Sequence, residues 1–306
     1  MFPIIPANSA TAGSQGNGEG IFGFGWTNAS GRVATTNLIS DAGVVAADVA
    51  GTGTARTGSA SCEFGGDKGI FGFGSAASGV IAETNLISNA GVMASDTTGV
   101  GTAGSVLAAC SYGGDKGIFG FGERPSIESI SNLVSNTGVV ADDTAGVGTA
   151  RAWLAACEYG GDKGIFGFGS TGTKVALTNL VSNAGVIASD QATVTGTARI
   201  QLAACNYGED KGIFGFGVPI DGSNVSTTNL VSNTGVVSTD VAGVGTGRYT
   251  VAGTQYGEDK GIFGFGYRDW VGLYSATNKV TNAGVVGTDV AGVGTARQQP
   301  AACSFN

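Results

Sequence analysis

No histidine occurs among the 306 residues, which removes the commonest general base, zinc ligand and triad member. Proline supplies only 5 residues, and the 56 glycines keep no three-residue period, so neither collagen nor polyproline structure fits. Acids outnumber bases 23 to 15, and the net charge of -8 provides no Lys/Arg-rich face for nucleic acid. No run of 18 apolar residues is present, so no membrane insertion is expected. The opening Met1-Phe-Pro-Ile-Ile-Pro6 lacks a positive stretch and carries two prolines, and no signal peptide is read there.

What is abundant is repetition. The string Gly-Ile-Phe-Gly-Phe-Gly begins at Gly20, Gly69, Gly117, Gly164, Gly212 and Gly261, a period of about 48 residues. An apolar fraction of 42%, rich in valine, isoleucine and alanine, is enough to bury a core.

Residues 149–192 divide into four short runs separated by turn residues. Thr149 to Cys157 is read as an innermost strand, small enough to crowd an axis, and Lys163 to Gly169 as a second strand. Thr178 to Ser182 and Val186 to Asp190 make the third and fourth, joined by an Asn-Ala-Gly turn. Four strands per unit describe a propeller blade or a solenoid coil. The first unit opens on a second strand without a first, and the last ends on a first strand without a second. Their joining predicts an all-β, six-bladed β-propeller of four-stranded blades over residues 16–306, with an arm at 1–15. The arm is a docking segment or a loose tail.

The repeat resembles the kelch motif. Arg56, Arg151, Arg199, Arg248 and Arg297 match that family's strand-leading arginine, and Phe-Gly-Phe-Gly stands where its paired glycines end a strand. The family's outer-strand tryptophan is missing. More narrowly, Asp-Lys-Gly-Ile-Phe-Gly-Phe-Gly with Thr-Asn-Leu-Val-Ser-Asn-Thr-Gly-Val-Val is similar to kelch-like proteins of tailed bacteriophages and other aquatic viruses. That resemblance implies a non-catalytic virion component, a tail, fibre or capsid appendage made in the host cytoplasm. Its partners would be other virion proteins and a host-surface glycan or protein. A cellular protein-interaction scaffold is the alternative.

The recurrent arginines are expected to pair with Asp48, Asp96, Asp143, Asp190, Asp240 and Asp289, as structural ion pairs. Gly104 replaces the arginine of one unit, which is therefore expected to do without it. The five Asp-Lys pairs, from Asp67-Lys68 to Asp259-Lys260, read as a turn aspartate bonding its own backbone beside a solvated lysine. The five cysteines, Cys62, Cys110, Cys157, Cys205 and Cys303, hold equivalent positions and read as reduced, buried thiols rather than ligands. No helix follows any glycine string and no Gly-Lys-Ser/Thr occurs, so neither a nucleotide nor another cofactor is expected. Glu83, Glu123, Glu128, Asp221 and Asp269 are scattered, and no spacing makes a glycosidase pair of them.

The repeats diverge at 26–35, 75–83, 123–130, 170–177, 218–227 and 267–276, which are expected on one side of the ring. Trp26 and Tyr267, Arg268, Asp269, Trp270 and Tyr274 are the candidate binding residues, for aromatics with adaptable polar groups suit sugars or protein loops. Trp270 either serves such recognition or plugs a gap against the next blade.

Overall fold

The structure, a computed structural model, describes residues 18–191 and 196–305, and every regular element among them is a β-strand. The arm expected at 1–15 lies outside the described residues, in which no helix is long and apolar enough to cross a membrane.

One unit explains the rest. The inner strand Ala155–Tyr159 turns back through Gly160 and Gly161, whose φ values of 65° and 72° suit glycine. The middle strand Lys163–Gly167 pairs with it, and Thr178–Val181 pairs with the other edge of the middle strand, Ile165 lying opposite both Cys157 and Leu180. The order inner, middle, third recurs in six sheets, each antiparallel. One sheet draws on both ends of the described chain: Ala301–Ser304 pairs with Gly20–Gly23, which pairs with Thr36–Ile39.

Two expectations about the strands need correction. The fourth run forms no strand, only isolated bridges such as Thr36 to Val49 and Ile39 to Val45. Between those bridges the third strand advances by three residues and its partner by four, so the extra residue breaks the ladder as a bulge does. The second correction concerns the arginine segment, which lies outside the inner strand. Between the two the chain turns at residues with positive φ, Val106, Trp153, Gln201, Thr250 and Gln299. The arginine segments pair instead with the starts of the variable loops, as in Ala152 to Ser170 and Tyr249 to Tyr267.

Side by side, the inner strands follow the chain from Ala60–Phe64 through Ala108–Tyr112, Ala155–Tyr159 and Ala203–Tyr207 to Ala252–Tyr256 and Ala301–Ser304. The last of these lies against Ala60–Phe64. Glycine permits the approach. A Cβ on Gly167 would sit 2.7 Å from the Phe214 ring of the next sheet, and one on Gly264 would sit 2.6 Å from Phe22. The other strand glycine receives a thiol, since a Cβ on Gly261 would meet Cys205 Sγ at 2.5 Å. All five cysteines are unpaired and buried, and burial pushes Cys62 up to about 12, so these groups pack as thiols. Edge-to-face ring pairs, Phe168 with Phe214 at 5.2 Å and Phe265 with Phe22 at 5.1 Å, complete the contact.

A buried cation locks each contact. The Arg56 guanidinium lies 4.0 Å from the Phe24 ring centre of one sheet, donates to Asn85 Oδ1 of the next at 2.6 Å and approaches Asp96 at 3.5 Å. The expected Arg–Asp pairing is present for all five recurrent arginines, at 3.5–3.9 Å. Burial lowers Arg151, Arg199, Arg248 and Arg297 to about 10, still cationic at neutral pH. The aspartates are held below the ordinary range. For Asp190, burial alone would raise the pKa, but hydrogen bonds from Thr149 and Asn179 and the charge of Arg151 outweigh it.

The unit with Gly104 does not dispense with its arginine. Arg124, from the following variable loop, occupies the same slot: 5.2 Å from the Phe73 ring centre, 3.5 Å from Asp143 and 3.1 Å from Asn132 Oδ1. A Cβ on Gly104 would lie 2.8 Å from Arg124 Cγ, so the glycine makes room for the incoming side chain.

Gly167→Ala is expected to cost about 2 kcal/mol in urea unfolding through overpacking. Gly287→Ala, whose new Cβ meets nothing closer than 3.5 Å, is expected to be near neutral. Arg124→Ala and Gly104→Arg should each destabilise, the first by about 2 kcal/mol because Asp143 and Asn132 lose their partner. The double variant should be more stable than either single one, and additive losses would refute the exchange of roles.

Candidate functional site

The six variable loops begin where the middle strand ends. At that point the second Phe of the motif takes positive φ, 64° at Phe168 for example, and the following Gly169 lies at 106°. This left-handed step ends the strand in five units, and in Lys68–Ala76 it makes a bulge after which pairing resumes. Neighbouring loops then touch. Arg32 Nε donates to Ser75 O at 2.8 Å, Lys174 Nζ to Pro219 O at 2.6 Å, and Asn224 Nδ2 to Asp269 Oδ2 at 2.9 Å. The variable segments gather at one end of the sheets.

The opposite end is nearly uniform. In five units the turn aspartate accepts from the lysine that follows it and from the asparagine of the Asn-X-Gly turn, as Asp115 does from Lys116 at 2.6 Å and Asn136 at 3.0 Å. Asp210 and Asp259 also keep the expected bond to their own backbone, and in all five units the two turns lie close enough to share the carboxylate. The valine after each Asn-X-Gly turn is exposed to a similar degree, 64% at Val92, Val139, Val186 and Val236.

Within the variable end, the segment 267–274 is the most distinctive. Tyr267–Arg268 and Gly272–Leu273 form a two-stranded hairpin whose tip carries Trp270. Trp270 is fully exposed and has φ 65°, so it does not plug a gap between sheets. Asp269 fixes the tip. Its carboxylate accepts from Tyr249 Oη at 3.0 Å and from Asn224, while its N–H donates to Asn224 Oδ1 at 2.8 Å. Burial, then the bond to Asp269, pushes Tyr249 up to about 12, so its hydroxyl keeps the proton it donates. Asn224 belongs to the neighbouring loop, whose turn exposes Ile220 at 75%. Trp270, Val271 and Ile220 are thus apolar tips on two loops tied together by Asn224 and Asp269.

The other predicted loop residues fall nearby but play different parts. Tyr267 is half-buried and packs at a tilt of 60° against Tyr249, ring centres 5.5 Å apart. Arg268 is exposed beside the tip. Tyr274 is half-buried, and its carbonyl accepts from the Arg297 N–H at 3.2 Å. Trp26 is half-buried on its own hairpin, bridged to Gln298 and paired with Arg32. Tyr274 and Trp26 therefore flank one short segment, Arg297-Gln298, rather than meeting at Trp270.

Sequence reasoning passed over six asparagines. Asn37, Asn85, Asn132, Asn179, Asn229 and Asn278 are wholly buried. Each donates across the broken fourth ladder, Asn179 to Ala188 O at 3.0 Å and to Asp190 Oδ1 at 2.9 Å. Their recurrence in Thr/Ser-Asn was the available signal. No three histidine, cysteine, aspartate or glutamate side chains gather as a metal cluster among the described residues. No protein-family model matches the chain, and no curated protein is similar to it.

Trp270→Ala should leave the melting temperature within about 1 °C, since the ring contacts no core. Asn224→Ala should also unfold almost normally yet speed amide exchange at residues 268–271, because it unties the two loops. Unchanged exchange would show that the tip is held by its hairpin alone.

Proposed function

We propose that the six sheets are the blades of a closed, six-bladed propeller, and that the chain is a non-catalytic binding platform. Support for closure comes from the pairing of Ala301–Ser304 with Gly20–Gly23 and from the return of the inner strands on one another. The observation that carries the functional reading is the unequal distribution of sequence between the two ends. One end repeats its turns nearly unchanged, while the other collects every variable loop and presents Trp270, Val271 and Ile220 on a braced mount. A fully exposed tryptophan on a fixed loop is a poor use of an apolar ring unless a partner covers it, and aromatic anchors dominate binding energy in interfaces. Preorganisation by Asp269 lowers the entropy lost on docking.

The kelch-like resemblance extends this reading to a virion appendage whose variable end meets a host-surface glycan or protein. The test is quantitative mass spectrometry of density-purified virus particles, with this protein measured against the major capsid protein. A fixed copy ratio is expected, and absence from clean particles would overturn the virion role. Binding of the purified chain to host cells should fall at least tenfold with Trp270→Ala, and equal binding would remove Trp270 from the contact.

A further inference from the structure

The inner strands surround a cavity of about 50 Å³. Three consecutive residues of each strand line it, Ala156, Cys157 and Glu158 for example, while the Cys157 thiol itself is turned toward Gly212 of the next sheet. Near the end that bears the uniform turns, the lining residues are Glu63, Ser111, Glu158, Asn206, Gln255 and Ser304, one from each strand. All six side chains carry oxygen. Two residues earlier, the same strands offer alanine or glycine except at Ser61, so oxygen is concentrated at one level.

Their order around the cavity is also regular. Following the inner strands, the long side chains Glu63, Glu158 and Gln255 alternate with the short Ser111, Asn206 and Ser304. Six long side chains would overfill such a space, whereas three can converge while the short ones brace them. Ser304 Oγ donates to Glu63 Oε2 at 2.7 Å, Ser111 Oγ to the Glu63 carbonyl at 3.3 Å, and the Glu158 N–H to Asn206 Oδ1 at 3.0 Å.

Glu158 is part-buried and lines the cavity, and its carboxylate accepts no hydrogen bond from the protein among the described residues. No lysine or arginine lines the cavity. Two carboxylates near one axis without a counter-charge make an unfavourable arrangement for an empty site.

We propose that this collar binds one hard divalent cation of the calcium type, with Glu63 and Glu158 as charged ligands, Gln255 as the third and water completing the shell. Such ions take six to eight oxygens from carboxylates, amides, hydroxyls and water, in adaptable geometry. The proposal concerns the axis and is independent of what the loops bind.

The test is calorimetric titration of the full chain with Ca²⁺ alone at pH 8, after chelation. One Ca²⁺ per chain is expected, binding at millimolar concentration or below. Glu158→Gln should weaken it at least tenfold, and the Glu63→Gln/Glu158→Gln pair should abolish it, while Asp162→Asn on the surface turn leaves it unchanged. Gln keeps the shape and removes repulsion, so the pair should melt higher than the metal-free wild type at pH 8 and lose the rise in melting temperature that Ca²⁺ gives. Absence of Ca²⁺ uptake, or uptake indifferent to both substitutions, would overturn the site.

Discussion

Everything in this molecule depends on how closely one small sheet can approach the next. Strands of four or five residues cannot hold themselves together in water, so each sheet must bury both faces against neighbours. The contact that permits it is a phenylalanine ring laid on a bare glycine Cα, with a thiol seated on a second glycine of the same strand. The high glycine content is therefore a packing requirement at these positions. It gives up side-chain burial on one strand so that a ring from the next can take its place.

That approach leaves a polar debt at the outer margin, where the fourth ladder is broken. The asparagine, aspartate, threonine and arginine of each unit meet it together. Asparagine supplies the donors that a regular strand would have supplied, and aspartate accepts from both asparagine and threonine. Arginine then carries the charge balance across to the aromatic ring of the preceding sheet. Burying a guanidinium is costly, and the lowered pKa values of these arginines record that cost. The cost is offset because one planar cation lies against a ring and near a carboxylate in each unit, and at Arg56, Arg124 and Arg248 it also donates to the buried asparagine. Arg124 makes the point most sharply: a guanidinium is required at that place in space, whichever segment delivers it.

Much of this was readable from residues alone. Period, strand-rich units, free cysteines and Arg–Asp pairing all follow from repetition and composition. Three things were not. The bulge that dissolves the fourth strand depends on a mismatch of one residue between two bridges, which the run Val186 to Asp190 does not reveal by itself. Gly104 looked like a loss because the compensating Arg124 sits in a loop where the repeats no longer align. At Trp270 packing and recognition were equally open, and only the hairpin with its Asn224–Asp269 tie places the ring in solvent.

The pairing of Ala301–Ser304 with Gly20–Gly23 has a consequence for biogenesis. Five sheets can form from contiguous chain as it leaves the ribosome, but the earliest one must wait with a bare edge for a strand synthesised some 280 residues later. During that wait its Ile21 and Phe22 have no inner strand beside them, and the opposing edge of a second nascent copy would fit equally well. The interval between the two halves of that sheet is when the protein is most exposed to exchange of strands between chains.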